Sequence, residues 1–508
     1  MVHKTRKANI FTYAKFNVAA LLSLAYSIRG KECSCDETQR PKSGSLNWVI
    51  FLSFEDGVEW VFRSPRRSFG LQEATASEVV MSEVATMKYL GEMGKIPVPE
   101  VFSYCATDQN DIEVPYILMS KASGVPLSTY RWEDGVASLP GISDRPQAVL
   151  STSQRRKILR QLGVMHAALS NIRFSEIGSL FMDNNTSYTP RKCLFPSLIW
   201  QGRDEFDDTE ITRGSFSESR AFYMASINAF LAHSAELPMD HHLFHAPVPI
   251  VQEYDSFEEY RLATDRWNDY VTMGSKIESR KNRLDYTLVG ISFRDIVAFL
   301  SEKDRQTSCD GFPLYHPDIS THNIFVDDNL NITCIIDWAF ASSVPPAMLL
   351  VCPGLPHPRD GTHFSLLGSF IDGFIAGGGF SGKAALDFSH NDLFWAFFRL
   401  VNLDSLQDFY YFSAHSFIDR TGVYPYICHM KGKKEFLEAA EYVSKDEWDE
   451  ERSRRSEEQY FSCVGPQRHA LSRYLTMIEQ QNNQFVADKR LWRCIELYLN
   501  ERDVYMFS

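Results

Sequence analysis

The sequence predicts a two-lobed α+β fold, in which a small β-rich lobe precedes a larger, mainly helical lobe. Two observations lead to this prediction. Residues 44–124 combine a strand-turn-strand signal with further extended runs, whereas the chain after Gly124 shows mostly helical spacing of apolar residues. A second strand-turn-strand signal occurs inside the helical part, at 324–337. A chain of 508 residues is also long enough to divide into two or more compact units.

Composition and charge narrow the class of protein. Apolar residues make up 44% of the chain and aromatic residues 13%, so we expect a large core. The net charge of −13 argues against nucleic acid as the main partner, because phosphate backbones attract basic surfaces. The ten cysteines include no CxxC pair, which excludes zinc-ribbon and thioredoxin-type motifs. Cysteines this sparse indicate a reduced, cytoplasmic protein.

Residues 1–43 form a predicted N-terminal extension with two interpretations. Six lysines and arginines, and no acidic residue, precede Glu32, as in a mitochondrial or secretory leader. The apolar run FNVAALLSLAYSI has only thirteen residues, so no transmembrane segment is expected. The alternative to a leader is an N-terminal helix that packs on the domain.

The predicted N-lobe, residues 44–124, begins with a hairpin. SLNWVIFLSF and VEWVFRS flank the turn residues 55–57, which include an Asp-Gly pair. Apolar residues at helical spacing then predict a helix over 77–91. IPVPEVFSYC is extended because of its prolines, and VPYILMSKASG is typical of a buried strand that leads into a connector.

The predicted C-lobe covers 125–430, and a helical extension covers 431–508. An amphipathic pattern predicts a helix over 154–172. Acidic residues at 204–208 are interpreted as solvated surface, with a pocket for a cationic substrate as the alternative. The segment GGGFSGKA at 377–384 nearly matches a phosphate-binding loop, but Ala384 lacks the required hydroxyl, and a helix C-terminus is the better interpretation.

The residues that carry chemistry lie at one end of the second hairpin. HPDISTHN, residues 316–323, directly precedes the strand IFV, and the returning strand ITCII ends at Asp337. Asp318, Asn323 and Asp337 are therefore expected to meet. Two carboxylates and an amide oxygen suit Mg²⁺, which completes its coordination with water and substrate phosphates. The spacing H-x-D-x4-N, followed by this aspartate, is that of a kinase catalytic loop and its metal-binding aspartate.

With these motifs the sequence resembles the aminoglycoside phosphotransferase-like kinases, the phosphotransferase enzyme family, which have a protein-kinase-like fold. The resemblance lies in HPDISTHNIFVDD and ITCIIDWAF, and upstream in GSLNWVIFLSFEDGVEWVFRSP, SEVATMKYL, IPVPEVFSY and VPYILMSKASGVPL. Together these motifs cover 44 to about 350 with gaps. Trp338 in IIDW is more similar to the small-molecule kinases than to protein kinases. The sequence looks like an uncharacterised member of the fungal type.

The resemblance implies roles for the catalytic loop and its neighbours. Asp318 would orient the acceptor hydroxyl and accept its proton, and His316 would fix the shape of the loop. Asn323 and Asp337 would hold Mg²⁺.

The resemblance also implies how the nucleotide is bound. A short loop would cover the phosphates, a helix glutamate would pair with a strand cation, and a hinge would meet the adenine. The residues at these positions are Gly44 and Ser45, then Glu83 with Arg63, then Ser120 and Ala122. Arg63 stands where this fold usually has lysine, and Glu78 is a second candidate for its partner. Arginine keeps the charge but is bulkier and binds oxygen pairs in a fixed geometry.

These residues predict an enzyme that uses ATP, or alternatively GTP, with Mg²⁺ to phosphorylate a hydroxyl of a small molecule. No activation-segment pattern such as APE follows Asp337, which disfavours a protein kinase-like regulator. A catalytically silent, pseudokinase-type binding protein is the alternative that Arg63 favours. A mitochondrial location is the alternative if the basic N-terminus is a leader.

Overall fold

The computed structural model describes most of the chain. The described residues are 16–36, 42–43, 47–65, 71–132, 148–183, 187–237, 256–273, 280–307, 311–356, 362, 364–382, 388, 391–402, 428–445 and 450–481. The chain divides into two compact units. The first contains 1–132, 149–225 and 300–391, and the second contains 133–148, 226–299 and 392–508. The predicted domain boundaries at 43, 124 and 430 remain predictions.

The described elements confirm the predicted α+β class, with a β-rich N-terminal lobe followed by a mainly helical part. The strands are β1 Cys33–Cys35, β2 Lys42–Ser43, β3 Asn47–Phe54, β4 Glu59–Pro65, β5 Val101–Cys105, β6 Tyr116–Ser120, β7 Val125–Pro126, β8 Leu180–Asp183, β9 Ser187–Pro190, β10 Leu314–Tyr315, β11 Ile324–Val326, β12 Ile332–Ile335 and β13 Ser342–Ser343. The helices are α1 Val18–Arg29, α2 Glu73–Met93, α3 Thr152–Ser170, α4 Pro196–Ile199, α5 Ser219–Glu236, α6 Phe257–Thr272, α7 Arg280–Thr307, α8 Phe364–Ala376, α9 Gly379–Gly382, α10 Asn391–Val401, α11 Lys434–Lys445, α12 Glu450–Val464 and α13 Pro466–Gln481.

An antiparallel sheet with the strand order β1-β3-β4-β6-β5 forms the first lobe, and β2 pairs with β3. The predicted hairpin is its centre, because β3 and β4 pair from Asn47 opposite Pro65 to Ser53 opposite Glu59. Gly57 in the turn has φ +81°, a backbone conformation that side chains other than glycine rarely adopt. Strand β4 carries Arg63, and β6 lies beside it in the sheet.

Helix α1 covers one face of this sheet. Leu21 and Ala25 are fully buried in a core that includes Trp48 and Phe62. Asn17 caps the start of the helix by accepting a hydrogen bond from the Ala20 N–H at 3.1 Å. Residues 18–29 therefore form a helix that packs on the domain, which is one of the two interpretations given for this segment.

We expect Leu21→Asp to lower the free energy of unfolding by about 3 kcal/mol or more, because it places an unpaired carboxylate in an apolar core. Ser23→Asp puts the same side chain on the exposed side of the helix and serves as the matched control. Urea unfolding of the full chain measures both. Equal midpoints for the two variants would mean that α1 contributes no packing energy to the lobe.

Helix α2 places its inner face against the sheet, and Glu83 is one of its buried residues. The predicted helix over 77–91 is confirmed, but it begins earlier, at Glu73. Gly94 ends it in the left-handed conformation with φ +63°.

The second predicted hairpin is also present, with β11 paired to β12, and β7 adds a third strand at the other side of β11. Gly124, just before β7, has φ +86°, and a Cβ there would lie 2.2 Å from the Val326 carbonyl oxygen. Only glycine allows the connector between the lobes to pass this close to the hairpin.

Helices dominate the rest of the described chain. Gly377 and Gly378 directly follow the end of α8, and Gly378 has φ +69°, so the first part of the glycine-rich segment is a helix terminus, the interpretation preferred over a phosphate-binding loop. Lys383 and Ala384 lie outside the described residues. In the described ranges, no helix combines the length and the apolar character that crossing a bilayer requires.

Candidate active site

The candidate catalytic loop, residues 316–323, is held in shape by His316, which is buried between the loop and the end of the hairpin. Its Nδ1 accepts a hydrogen bond from the Asp318 N–H at 3.1 Å, and its Nε2 lies 3.1 Å from the Ile336 carbonyl oxygen. This arrangement fits a neutral ring that donates through Nε2. Burial lowers the pKa of His316 to about 4, which keeps the ring neutral at physiological pH. The ring also contacts the Trp338 indole, with centroids 4.6 Å apart.

Asn323 fixes the Asp318 side chain. The Asn323 Nδ2 donates to the Asp318 carbonyl oxygen at 2.9 Å and to its carboxylate Oδ2 at 3.0 Å. The Asn323 amide nitrogen therefore faces Asp318, and the amide oxygen points away from Asp318. The Asn323 carbonyl accepts from the Ile336 N–H at 3.0 Å, which ties the loop to the residue before Asp337.

Asp337 follows the last strand of the hairpin with φ +64°, in the left-handed region. Few residues other than glycine adopt this conformation, although aspartate tolerates it better than most, and such residues cluster at functional sites. Arg63 Nη1 donates to the Asp337 Oδ1 at 3.2 Å. The Asp337 side chain is 30% exposed, so its carboxylate is open to solvent as well as to Arg63.

Arg63 and Glu83 form a buried ion pair between β4 and α2. The Arg63 Nη2 donates to the Glu83 Oε2, and only 8% and 2% of the two side chains are exposed. Burial alone would lower the pKa of Arg63, but the carboxylates of Glu83 and Asp337 raise it, so the guanidinium stays charged. Burial raises the pKa of Glu83 to about 7, and the positive charge of Arg63 opposes that shift.

The structure thus brings six of the predicted site residues into one connected group, in the first compact unit. One hydrogen-bonded set consists of Arg63 with Glu83 and Asp337. The other consists of His316 with Asp318 and Asn323. The backbone of Ile336, the residue before Asp337, bonds to both His316 and Asn323 and so connects the two sets. Glu78, the second candidate for the Arg63 partner, instead lies 3.0 Å from the Lys192 Nζ.

Of the remaining predicted nucleotide-binding residues, two lie outside the described ranges and two are described. Gly44 and Ser45 lie outside the described residues. Ser120 ends β6, and its N–H already donates to the Glu100 carbonyl oxygen at 2.8 Å. Ala122 lies two residues beyond that strand and is partly exposed.

A magnesium ion fits the oxygens of this group. Asp337 Oδ2 and Asn323 Oδ1 are hard donors at the same end of the hairpin, as Mg²⁺ prefers. Among the described residues, no group of three or more His, Cys, Asp or Glu side chains is placed to hold a metal ion. A two-ligand site of this kind requires phosphate oxygens and water to complete the coordination.

Sequence reasoning missed three residues that support the group from outside it: Tyr188, Lys192 and Asp204. Asp204 was interpreted as solvated surface, or as a substrate pocket, from its acidic neighbours. Its side chain is instead buried, and its Oδ2 accepts from the Gln72 N–H at 2.7 Å, at the start of α2. No local sequence pattern predicts a helix-terminus contact from a residue 132 positions away.

Comparison with known proteins adds a family match. Residues 37–192 match the model of the phosphotransferase enzyme family. The predicted resemblance to this family is confirmed over that segment. The match contains Arg63 and Glu83 but ends before Asp318.

Two relatives are similar to stretches of different length in this chain. A subtelomeric hrmA-associated cluster protein of Aspergillus fumigatus is 26% identical over 340 residues, which is 64% of this chain and 61% of the relative. The chain therefore spans about three-fifths of the length of that relative. Altered inheritance of mitochondria protein 9 of Candida glabrata is 30% identical over 143 residues, 28% of this chain and 22% of that protein.

Similar solved structures include a putative fructosamine-3-kinase of Thermobifida fusca, with 13% identity and a TM-score of 0.37 over 84% of this chain and all of that one. A type I macrolide 2'-phosphotransferase has 13% identity and a TM-score of 0.36, over 83% and 94% of the two chains. Similarity at this level does not establish shared chemistry.

Proposed function

We propose that this protein is a phosphotransferase that moves a phosphoryl group from ATP to a hydroxyl of a small molecule, with Mg²⁺ as cofactor. One observation carries the proposal: Asp337, at the end of the hairpin, is held by the buried Arg63–Glu83 pair, and the neighbouring loop presents Asp318 fixed by Asn323. The match of 37–192 to the phosphotransferase enzyme family supports it.

Each residue of the group has a chemical task in this proposal. The Asp318 carboxylate accepts the proton of the attacking hydroxyl, and the hydrogen bond from Asn323 keeps its orientation. Asn323 Oδ1 and Asp337 Oδ2 are the oxygens that would hold Mg²⁺, which neutralises charge on the phosphates when it is bound. His316 positions the loop. It does not transfer a proton in the reaction, because its ring is buried and stays neutral.

The nucleotide end of the site has two assigned contacts. Arg63 supplies positive charge beside the phosphates, and Ala122 supplies backbone hydrogen bonds to the base. We assign Ala122 rather than the N–H of Ser120, because that N–H is already used within the sheet. The relatives named for mitochondrial inheritance support a mitochondrial location, and fractionation of cells that produce the full chain decides between this and a cytoplasmic one.

The direct test is stabilisation of the full chain by nucleotide. With ATP and Mg²⁺ at about 100 times the dissociation constant, linkage predicts a gain of about 2.7 kcal/mol in the free energy of unfolding. We expect Asp337→Asn to abolish the Mg²⁺-dependent part of this gain, whereas Asp328→Asn at the exposed hairpin turn should retain it.

Thermal unfolding with ATP, GTP and each nucleotide without Mg²⁺ measures these effects. Wild-type protein that gains nothing from any nucleotide would refute the proposal. Nucleotide binding without ADP release across a screen of hydroxyl acceptors would favour the silent binding protein instead.

A further inference from the structure

A hairpin of the helical part contacts the last turns of α2. Strands β8 and β9 pair from Leu180 opposite Pro190 to Asp183 opposite Ser187. The Tyr188 hydroxyl donates to the Glu92 Oε1 at 2.5 Å, and the Tyr188 ring packs against the Tyr89 ring with centroids 5.2 Å apart. These contacts bind the C-terminal end of α2 to the hairpin.

The chain that follows the hairpin contacts the start and the second turn of the same helix. Lys192 Nζ lies 3.0 Å from the Glu78 Oε2, one turn before Glu83. The Asp204 carboxylate accepts from the Gln72 N–H, and Gln72 itself provides no side-chain cap. A carboxylate at a helix N-terminus satisfies a free N–H and favours the helix dipole. Helix α2 is therefore held at three points along its length.

The base of the hairpin is bound to the strand that follows Asp337. Ser343 N–H donates to the Gly178 carbonyl oxygen at 2.8 Å, and the hydroxyls of Ser179 and Ser342 lie 2.7 Å apart, fully buried. A Cβ on Gly178 would come within 2.1 Å of the Arg191 carbonyl oxygen, so only glycine fits where the two chain segments cross.

These contacts close a ring of interactions around the candidate site. From Glu83 the ring passes through Arg63 to Asp337, along the chain to Ser342, across to Ser179, and through the hairpin back to α2. Residues 178–183 and 187–204, here called the clamp segment, thus connect the helix that carries Glu83 to the strand next to Asp337. All of these residues belong to the first compact unit.

We propose that the clamp segment is a positioning device, which holds α2 where Glu83 pairs with Arg63 and keeps the site ready for nucleotide without covalent activation. This inference rests on the proposed function and assigns positioning roles to Lys192 and Tyr188. A partly exposed ion pair or a single tyrosine hydroxyl contributes little alone, but three contacts along one helix together favour one position of the helix.

The test reverses the ion pair between Lys192 and Glu78, in the second turn of α2. Glu78→Lys and Lys192→Glu each place like charges together, and the double variant restores an opposite pair in reversed order. Glu438→Lys is the matched control, because Glu438 also lies 3.0 Å from a lysine, Lys434, in an exposed pair in the second unit. Two quantities are measured on the full chain: amide hydrogen exchange in α2 and the dissociation constant for Mg²⁺-ATP.

We expect each single reversal to speed exchange in α2 and to weaken Mg²⁺-ATP binding by about fivefold, the effect of roughly 1 kcal/mol. The double variant should restore both quantities, and Glu438→Lys should change neither. Single variants that match Glu438→Lys, a double variant that does not recover, or faster exchange with unchanged affinity would each overturn the proposal.

Tyr188→Phe provides a second measurement in which folding is not at risk, because it removes only a partly exposed hydroxyl. It should speed exchange near Glu92 and add to the effect of Glu78→Lys. Wild-type protein that bound no nucleotide would refute the proposed function. The exchange data would in that case still decide whether the segment holds α2.

Discussion

Asp318→Asn should lower turnover by about 10²- to 10⁴-fold while nucleotide affinity stays close to that of the wild type. The substitution removes the group that accepts the proton of the attacking hydroxyl. It preserves the shape of the loop, because the new amide oxygen can accept the hydrogen bond that Asn323 now donates to the Asp318 Oδ2. His316 continues to accept from the backbone N–H of residue 318.

The measurement is ADP release with an acceptor found in the screen, at saturating Mg²⁺-ATP, together with the dissociation constant of the nucleotide. Asp328→Asn, the same chemical change in the exposed hairpin turn, controls for the loss of one negative charge. Equal turnover by wild type and Asp318→Asn with every acceptor offered would show that this carboxylate does not take part in the reaction. A loss of affinity equal to the loss of turnover would mean a binding role instead.

The parts of the fold that could be predicted from sequence are those with local causes. The β3–β4 hairpin follows from alternating apolar residues and an Asp-Gly turn, and all of these lie between Asn47 and Pro65. Helix α1 illustrates the limit, because its apolar run fits a leader as well as a packed helix. The helix packs against a sheet face that includes Trp48 and Phe62, which come later in the chain.

The start of α2 shows the same limit at a helix end. The predicted helix starts at Ser77, yet the observed helix begins four residues earlier, at Glu73. Asp204 accepts from the N–H of Gln72, the residue just before the first turn, and a contact supplied over such a distance leaves no local signature. Helix length was therefore underestimated where tertiary contact replaces the local cap.

Within the candidate site, the types of residue were predictable and their electrostatic arrangement was not. The pattern of the loop and hairpin indicated that Asp318, Asn323 and Asp337 meet. The sequence does not disclose that Asp337 takes a left-handed backbone conformation, or that Arg63 bonds two carboxylates at once. Both features depend on how β4, α2 and the hairpin pack together.

The second large effect is expected at Arg63, where methionine should lower the free energy of unfolding by about 3–5 kcal/mol, the usual result of breaking a buried ion pair. Glu83 is 2% exposed and would lose the cation that opposes its raised pKa, so it must either stay charged without a partner or bind a proton. The double variant Arg63→Met with Glu83→Gln removes the buried ionisable group and should recover most of that loss. Urea unfolding of the two single variants and the double variant gives the coupling energy of the pair directly.

Arg63→Lys asks whether the guanidinium is needed or only its charge. Lysine keeps the charge, but its three N–H groups lie on one nitrogen and cannot reproduce the two guanidinium nitrogens that bond Asp337 and Glu83. We expect a smaller stability loss than for methionine, and Mg²⁺-ATP binding weakened by about 10-fold or less, against about 10- to 100-fold for methionine, because a charge-assisted hydrogen bond is worth about 1.5–3 kcal/mol. Equal nucleotide affinity in all three proteins would mean that Arg63 holds the carboxylates together and leaves the phosphates to other groups.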